Sequence, residues 1–393
     1  MQLGAIVRHH NFYMSILGIL PLLYISAGFQ GNTTPEKAVI HLERFSCDSQ
    51  IISGSGAVSV LKEMNPGRVL IVTDPFFYEN GTAQALVEGT VEFFHEVKPD
   101  PSLELVAKGT ALVQSFQPDT VIALGGGSAM DCAKAMVYFS GTKAKLIAIP
   151  TTSGSGSEVT DFAILTHDGV KHPLIDPRMR PEIAIVDSDL VKKLPPALIA
   201  DGGFDALSHS AEAFVATNSG AFSDALAASS FRTVLGQLTN SFHGDMNARG
   251  AVHTAATMAG LSFTQAGLGL CHAMSHSLGG RYHVPHGRLN AILLPAVMGQ
   301  NNVPKYAALA RMAGLEGQSD TIAARNLRTA LIRLRKGLGL PATLAQAGIS
   351  PSQLRQDTES IITATLADPC CQTNPIPVTP CMVREVLREV GGG

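Results

Sequence analysis

The sequence predicts a two-part protein, with an α/β region built on a parallel sheet over residues 41–193 and an all-helical region over residues 194–393. Three observations lead to this prediction. Short β-branched apolar runs alternate with helical patterns up to about residue 190, which is typical of a parallel sheet covered by helices. A Pro- and Gly-rich segment, LPPALIADGG, begins at Leu194 and indicates a domain boundary. Beyond residue 205, strand patterns disappear and alanine-rich amphipathic segments dominate.

Length and composition are typical of a small-molecule enzyme. A chain of 393 residues can bury a large core and is long enough for two domains. The net charge is −3 and no basic run stands out, which argues against nucleic-acid binding. The six cysteines form neither a CxxC pair nor a regular framework, which indicates a reducing compartment, the cytoplasm.

An apolar, uncharged stretch over residues 12–29 precedes the α/β pattern, within an N-terminal extension that covers residues 1–40. A secretory signal has this layout, with Arg8 before the apolar run and small residues after it. A membrane span is a second interpretation, although the stretch is short and contains Pro21. The third is a helical tag that docks the protein to a partner through the linker GFQGNTTPEK. The fourth is an over-long start assignment, since Met14 is another candidate initiator.

The first clear strand is Val69–Thr73, a β-branched run that ends at Asp74-Pro75. An acid at the carboxyl end of such a strand can accept hydrogen bonds from the two hydroxyls of an adenosine ribose. It also repels a 2′-phosphate, which favours NAD over NADP. An ordinary turn-forming aspartate before proline is the alternative interpretation of Asp74.

A second strand, at residues 120–124, runs directly into Gly125-Gly126-Gly127-Ser128 and then into a helical pattern. Glycines let the backbone approach a pyrophosphate closely, and the positive N-terminal end of the helix stabilises its charge. The turn therefore predicts a phosphate cradle in a Rossmann-like, nucleotide-binding domain, with Gly126, Gly127 and Ser128 as candidates. Glycine turns that bind nothing also join strands to helices.

Further strands are predicted at residues 146–150 and within 180–190, with a hairpin formed by residues 161–165 and 172–175. The loop over residues 150–160, PTTSGSGSEVT, alternates hydroxyls with glycines and offers neutral hydrogen-bond donors. A flexible loop without a ligand is the alternative. The helical segments predicted beyond it are 203–217, 220–240, 246–265, 268–280, 288–299, 303–313, 320–338 and 379–390.

Four histidines fall within fifteen residues of the segment 267–295, namely His272, His276, His283 and His286. On a helix, His272 and His276 would lie on one face, one turn apart. A turn between Pro285 and Gly287 could aim His286 at that face. Upstream, Asp205 and His209 repeat the four-residue spacing, and two such pairs facing each other would form a divalent-cation site. Any one of these histidines alone is more often a satisfied core or surface residue.

These motifs carry a family resemblance. The segments GFDALSHSAEAF, HAMSHSLGG, PHGRLNAILLP and GGGSxxDxxK resemble the signatures of the iron-containing (group III) alcohol dehydrogenase family, from about Phe45 to the C-terminus. The resemblance implies that Asp205, His209, His272 and His286 hold a divalent metal, Fe²⁺ or sometimes Zn²⁺. It implies that His276 lies near the substrate as the catalytic histidine that helps to move a proton. His283 and His253 match no ligand position.

The resemblance also implies a set of residues that contact NAD. These are Asp74, Asp100, Gly126, Gly127, Ser128, Asp131, Thr151, Thr152, Ser155 and Lys171. Two of them depart from the family pattern. Asp100, in VKPDPS, stands where Asn is commoner, and Ser155 replaces a threonine but keeps the hydroxyl. An exposed hairpin lysine is an equally good interpretation of Lys171.

The expected function is NAD-linked interconversion of short primary alcohols and aldehydes, running mainly as aldehyde reduction. The chain is most similar to propanol or ethanol dehydrogenases of propanediol or ethanolamine utilisation. This similarity implies a homodimer or larger homo-oligomer, with the N-terminal extension as a tag for a microcompartment shell or partner enzyme. One alternative is a lyase like dehydroquinate synthase, for which the metal motifs offer only Arg281 and Arg288 to a polyanionic substrate. Another is an inactive assembly component.

Overall fold

A six-stranded, all-parallel sheet forms the first half of the fold. The computed structural model describes residues 45–167 and 170–392. The strands of the sheet are β1 Gln50–Gly54, β2 Val69–Thr73, β3 Val91–Phe94, β4 Thr120–Gly125, β5 Lys145–Pro150 and β8 Ile183–Asp187. They lie side by side in the order β1-β8-β5-β4-β2-β3. A separate antiparallel pair, β6 Phe162–His167 and β7 Val170–Ile175, is the predicted hairpin.

Helices on both faces bury the central strands. They are α1 Pro75–Glu79, α2 Leu103–Phe116 and α3 Gly127–Ser140. Every residue of β2, β4 and β8 is buried, as expected for parallel strands whose side chains are covered on either side. Asp74 and Ser102 begin α1 and α2 as N-caps, since their side chains accept hydrogen bonds from Phe77 N and Leu105 N.

The connections of β2 and β4 leave the sheet in opposite directions. From β2 the chain passes through α1 to β3 on one side, whereas from β4 it passes through α3 to β5 on the other. Nucleotides bind at such a switch point, outside the carboxyl ends of the two strands. Because Thr73 pairs with Leu124 in the register, Asp74 and the glycine turn after β4 flank this crevice.

The second half of the fold is helical, as predicted. Its helices are α4 Pro196–Val215, α5 Ala221–Phe242, α6 Met246–Ala266, α7 Leu270–Tyr282, α8 His286–Asn301, α9 Lys305–Met312, α10 Asp320–Gly337, α11 Pro351–Ala367 and α12 Pro380–Val390. Large buried side chains such as Phe204 and Phe231 form its core. Helix α4 packs against α5, α6 and α8, which brings the predicted metal motifs together.

Two helix predictions were wrong in detail. Helix α4 begins at Pro196 rather than residue 203, because proline is well tolerated in the first turn of a helix and does not end one there. Helix α11 was missing from the predicted set, since its sequence, PSQLRQDTESIITATLA, is mostly polar. It buries only Leu354, Ile361, Ile362 and Thr365. The division into two domains near residue 194 stays a prediction.

The N-terminal apolar stretch, residues 12–29, lies outside the described residues. Across residues 45–167 and 170–392, no helix has both the length and the hydropathy that crossing a bilayer requires.

Candidate active site

Four of the predicted ligands converge on one point. The donor atoms of Asp205, His209, His272 and His286 all lie within 4.8 Å of one another. From Asp205 Oδ1, the distance is 3.8 Å to His209 Nε2, 3.9 Å to His272 Nε2 and 3.5 Å to His286 Nε2. Two ligands about 2.1 Å from a tetrahedral cation are about 3.4 Å apart. The spacing of the four donors therefore fits one small divalent cation.

The histidines present unprotonated nitrogens to this point. His209 Nδ1 lies 3.2 Å from the carbonyl oxygen of Gly154, and His272 Nδ1 lies 2.7 Å from Glu212 Oε2. A carbonyl or carboxylate can only accept, so each Nδ1 carries the proton and each Nε2 keeps its lone pair. Burial lowers the pKa of His209, His272 and His286, which keeps the rings neutral. Neutral imidazole is the form that binds metal.

Local sequence explains how each ligand reaches the point. Asp205 and His209 are one turn apart on α4, and His272 lies in the first turn of α7. His286 is the first residue of α8, directly after Pro285. A Cβ atom on Gly287 would come within 1.9 Å of the Asp201 carbonyl oxygen. Glycine is therefore required after His286 for α8 to pack closely against α4.

Two buried residues that the sequence analysis missed support the ligands. Glu212 accepts hydrogen bonds from His272 Nδ1 and from the backbone N–H groups of Gly269, Cys271 and His272. Asn290 Nδ2 donates to Asp205 Oδ1 at 2.9 Å. Burial raises the pKa of the Glu212 carboxyl to about 7, and the backbone N–H groups act in the opposite direction. The signal was helical spacing, because Glu212 lies seven residues after Asp205 and Asn290 four after His286.

His276 lies beside the four donors without joining them. Its ring stacks on that of His286, with centroids 5.2 Å apart. Its Nδ1 lies 2.8 Å from Asp368 Oδ2. Because the carboxylate accepts, Nδ1 carries the proton and Nε2 has a free lone pair. No pattern in the sequence pairs His276 with Asp368, which is 92 residues away in the chain.

Most predicted nucleotide contacts gather around the turn after β4. Cβ atoms added to Gly126 and Gly127 would lie 3.2 Å from Thr152 and Ser155 respectively, so those side chains cover the turn. The Thr151 N–H donates to the carbonyl of Gly125 at 2.9 Å. Asp74 uses Oδ1 to cap α1. Its Oδ2 faces Gly125, 3.8 Å from where a Cβ would be.

The four other predicted residues, Asp100, Ser128, Asp131 and Lys171, make contacts within the protein. Asp100 has a left-handed backbone conformation, with φ 58°, and its carboxylate forms an ion pair with Lys171 at 2.7 Å. The backbone N–H of Asp100 lies 3.4 Å from Ser128 Oγ. The carboxylate of Asp131 accepts from Ser157 Oγ at 2.7 Å and from Ile164 N at 3.0 Å. Asp131 is therefore bonded to the loop over residues 150–160, and its contact with NAD stays a prediction.

The loop over residues 150–160 is held from both halves of the fold. Lys134 Nζ donates to Ser157 Oγ, Thr160 Oγ1 and the carbonyl of Phe162 at 2.8–3.0 Å. Burial lowers the pKa of Lys134 to about 8. On the helical side, Glu158 accepts from Thr257 Oγ1. Five polar residues of this segment are buried, Thr151, Ser153, Ser157, Glu158 and Thr160, so the segment is held in place rather than flexible. Its contact with NAD stays a prediction.

Two family models match the chain. One, described as iron-containing alcohol dehydrogenase, matches residues 48–188, and the other, the C-terminal part of the Fe-containing alcohol dehydrogenase family, matches residues 199–391. The chain belongs to the iron-containing alcohol dehydrogenase family. The family resemblance read from the motifs is confirmed, and the enzyme is an alcohol dehydrogenase.

Individual relatives agree with this assignment. The enzyme is 38% identical over 369 residues to the 1-propanol dehydrogenase PduQ of Salmonella typhimurium, covering 89% of this chain and 100% of the relative. It is 35% identical to an NADPH-dependent butanol dehydrogenase of Clostridium saccharobutylicum, covering 84% and 94%.

A solved structure of a sulfoacetaldehyde reductase from Bifidobacterium kashiwanohense, in complex with NAD⁺, matches with a TM-score of 0.80 and 25% identity, covering 90% of this chain and 99% of that one. The predicted fold class is confirmed, and NAD-linked interconversion of alcohols and aldehydes is favoured over the lyase and inactive alternatives.

Proposed function

We propose that Asp205, His209, His272 and His286 hold Fe²⁺, or Zn²⁺ in its place, and that the enzyme uses NAD(H) to interconvert short primary alcohols and aldehydes. Aldehyde reduction is the main direction. The observation that supports this most strongly is the convergence of one carboxylate and three Nε2 lone pairs, two of them fixed by Nδ1 hydrogen bonds. Three neutral imidazoles and one carboxylate would leave a divalent cation with about one unit of positive charge.

The nucleotide would bind at the crevice between the carboxyl ends of β2 and β4. Its pyrophosphate would lie against the backbone of Gly126 and Gly127, at the N-terminal end of α3, where the helix dipole favours negative charge. The hydroxyls of Thr152 and Ser155 cover this turn. Asp74 Oδ2 would accept from the ribose hydroxyls and repel a 2′-phosphate, which favours NAD over NADP.

The chain's own residues would orient the substrate and move its proton. When bound, the cation supplies Lewis-acid polarisation of the substrate oxygen and the nicotinamide supplies or accepts the hydride. His276 takes the hydroxyl proton at Nε2 during oxidation and returns it during reduction. Asp368 stabilises the ring when it carries both protons, because its carboxylate already accepts from Nδ1 at 2.8 Å. The loop over residues 150–160 links the proposed NAD site to the metal ligands, because the carbonyl of its Gly154 accepts a hydrogen bond from His209 Nδ1.

The charges near the site do not favour a polyanionic substrate. Arg288 pairs with Asp201 at 2.9 Å, and Arg281 pairs with Asp357 at 3.2 Å. Both arginines of the metal motifs are therefore neutralised within the protein. A small neutral alcohol or aldehyde suits this surrounding better than the polyanion of a dehydroquinate-synthase-like reaction.

We also propose a cytoplasmic homodimer or larger homo-oligomer, with residues 1–40 as a tag that docks the enzyme to a microcompartment shell or partner enzyme. The apolar run over residues 12–29, followed by the Gly-, Thr- and Pro-containing segment GFQGNTTPEK, supports the interpretation as a tag. Similarity to a relative named 1-propanol dehydrogenase supports propanol and propionaldehyde as substrates.

The test is anoxic reconstitution of metal-free protein with Fe²⁺ or Zn²⁺, followed by NADH oxidation with aldehydes of increasing chain length. We expect turnover that requires the metal and is best with short aldehydes. Asp205→Asn keeps the shape of the side chain but removes its charge, so this variant serves as the matched control and should not regain activity. Turnover in metal-free protein, or none with any aldehyde, would contradict the proposal.

A further inference from the structure

A second group of metal-binding side chains lies beside the first. The ligating atoms of His276, Asp368 and Cys370 lie within 4.8 Å of one another. His276 Nδ1 is 2.8 Å from Asp368 Oδ2, and this nitrogen is not the one we assign to the substrate proton. The side chains of His276 and Asp368 keep 20% and 13% of their surface exposed, so a cation can reach them from solvent.

The positions of these three side chains are fixed by the fold. Asp368 caps the short 3-10 turn Pro369–Thr373, accepting from the backbone N–H of Cys370 at 2.9 Å. Thr373 Oγ1 donates to the carbonyl of Leu268 at 2.7 Å, just before α7 begins. The turn that carries Asp368 and Cys370 is thereby fastened to the helix that carries His276. The three donors are held together before any cation arrives.

We propose that His276, Asp368 and Cys370 form a separate site for a thiophilic divalent cation, such as Zn²⁺ or Cd²⁺, and that filling it inhibits the enzyme. One imidazole, one thiolate and one carboxylate are a ligand set that suits zinc, with the fourth position left to solvent. The sulfur distinguishes this site from the first, which offers only nitrogen and oxygen. Soft cations should therefore prefer it more than Fe²⁺ does.

Binding would release one proton. The Cys370 thiol loses its proton to solvent and binds the cation as the thiolate. The Asp368 carboxylate gives up its hydrogen bond with His276 Nδ1 and binds the cation as well. The Nδ1 proton of neutral His276 moves to Nε2, since Nδ1 becomes a ligand. A ring with Nδ1 bound and Nε2 protonated cannot accept a substrate proton. The inhibition, though not the binding, rests on the proposed role of His276.

The chain supplies a matched control in the adjacent cysteine. Cys371 Sγ lies 3.1 Å from the carbonyl oxygen of Thr365 and is not part of the cluster. Both Cys370 and Cys371 are partly buried, so serine should be tolerated at either position. Cys47 and Cys381 are exposed and would bind soft cations nonspecifically. The variants are therefore compared in a background that carries Cys47→Ser and Cys381→Ser.

The experiment titrates the iron-loaded full-length background protein with Cd²⁺ and follows the thiolate-to-cadmium absorption band, proton release and turnover together. We expect the band and the loss of turnover to rise in parallel to one equivalent, and Cys371→Ser to behave in the same way. Cys370→Ser should lose the band and need about tenfold or more cation for the same inhibition. A band that persists in Cys370→Ser, disappears in Cys371→Ser or never forms would overturn the proposal.

A further variant separates this proposal from the proposed catalytic function. Asp205→Asn replaces the charged donor of the first site with a neutral amide, and Asp205 lies outside the second cluster. If the second site exists, this variant should still develop the cadmium band at one equivalent, whether or not the enzyme has any turnover. Loss of the band in a folded Asp205→Asn variant would overturn the proposal, because Cys370 would then bind cadmium only when the first site is intact.

Discussion

Replacing Glu212 with glutamine tests whether the buried shell around the cation is as important as the geometry indicates. The carboxylate accepts from four N–H groups, namely His272 Nδ1 at 2.7 Å and the backbone of Gly269, Cys271 and His272 at 2.7–3.2 Å. An amide has only one acceptor oxygen, and its NH₂ would face a donor. If the amide oxygen takes the place of Oε2, three of the four bonds are kept and only the Cys271 N–H, which bonds to Oε1, loses its acceptor.

The magnitude follows from those bonds. A buried N–H without an acceptor costs about 1–3 kcal/mol of folding stability. The bond that remains to His272 Nδ1 loses its charge assistance and becomes roughly half as strong. Since this bond orients the ring and sets its basicity, metal affinity should fall by about 10–100-fold. That loss corresponds to about 1.4–2.7 kcal/mol of binding free energy.

The assay measures metal retained per chain during dialysis against graded chelator, together with thermal unfolding of the metal-free proteins. Glu158→Gln is the matched control, because Glu158 is about as buried as Glu212 but accepts from Thr257 Oγ1 at 2.5 Å rather than from a ligand histidine. Its amide oxygen can keep that bond, so metal retention should be unchanged. If folded Glu212→Gln retains metal as well as the unmodified enzyme, or if Glu158→Gln loses as much, then Glu212 does not strengthen metal binding through its bond to His272.

Three further substitutions give distinct outcomes. His276→Ala should keep its metal while turnover falls about 10²-fold or more, measured by metal analysis and NADH oxidation; loss of metal would make His276 a ligand. Asp74→Ser keeps the cap of α1 but removes the charge, so the ratio of NADP to NAD activity should rise, and an unchanged ratio would exclude Asp74 from cofactor choice. Gly154→Ala places a Cβ 3.1 Å from Asp205 Oδ2 and 3.0 Å from Gly202 Cα. Chelator should therefore remove the metal from this variant more easily than from the unmodified enzyme. An unchanged chelator curve would show that the loop over residues 150–160 moves to accommodate the added methyl group.

The sequence predicted the sheet and the four converging donors because each signal is local. Apolar runs report strands buried on both faces, and four-residue spacing places Asp205 with His209 on one helix face. The pairing of the two helical segments needed the family motifs, since nothing in local spacing shows that α8 crosses α4. Helix α11 was not predicted, because it has few buried residues and its surface is polar.

The supporting residues were harder to predict for a different physical reason. Asp368 is 92 residues from His276 in the chain, and Lys134 is 26 residues from Thr160, so neither contact produces a periodic pattern in the sequence. The bonding of Asp131 to Ser157 likewise depends on how the loop over residues 150–160 folds back on α3. Glu212 could have been predicted from the sequence, because an acid on the same helix face as Asp205, in an otherwise apolar segment, needs buried hydrogen-bond donors.

Anomalous diffraction at the iron edge, from crystals of the Fe²⁺-loaded enzyme, would locate the cation and identify the side chains that bind it. We expect one iron peak per chain, at about 2.0–2.2 Å from Asp205 Oδ1 and from the Nε2 atoms of His209, His272 and His286. A peak elsewhere, or one that any of these four side chains fails to contact, would contradict this expectation.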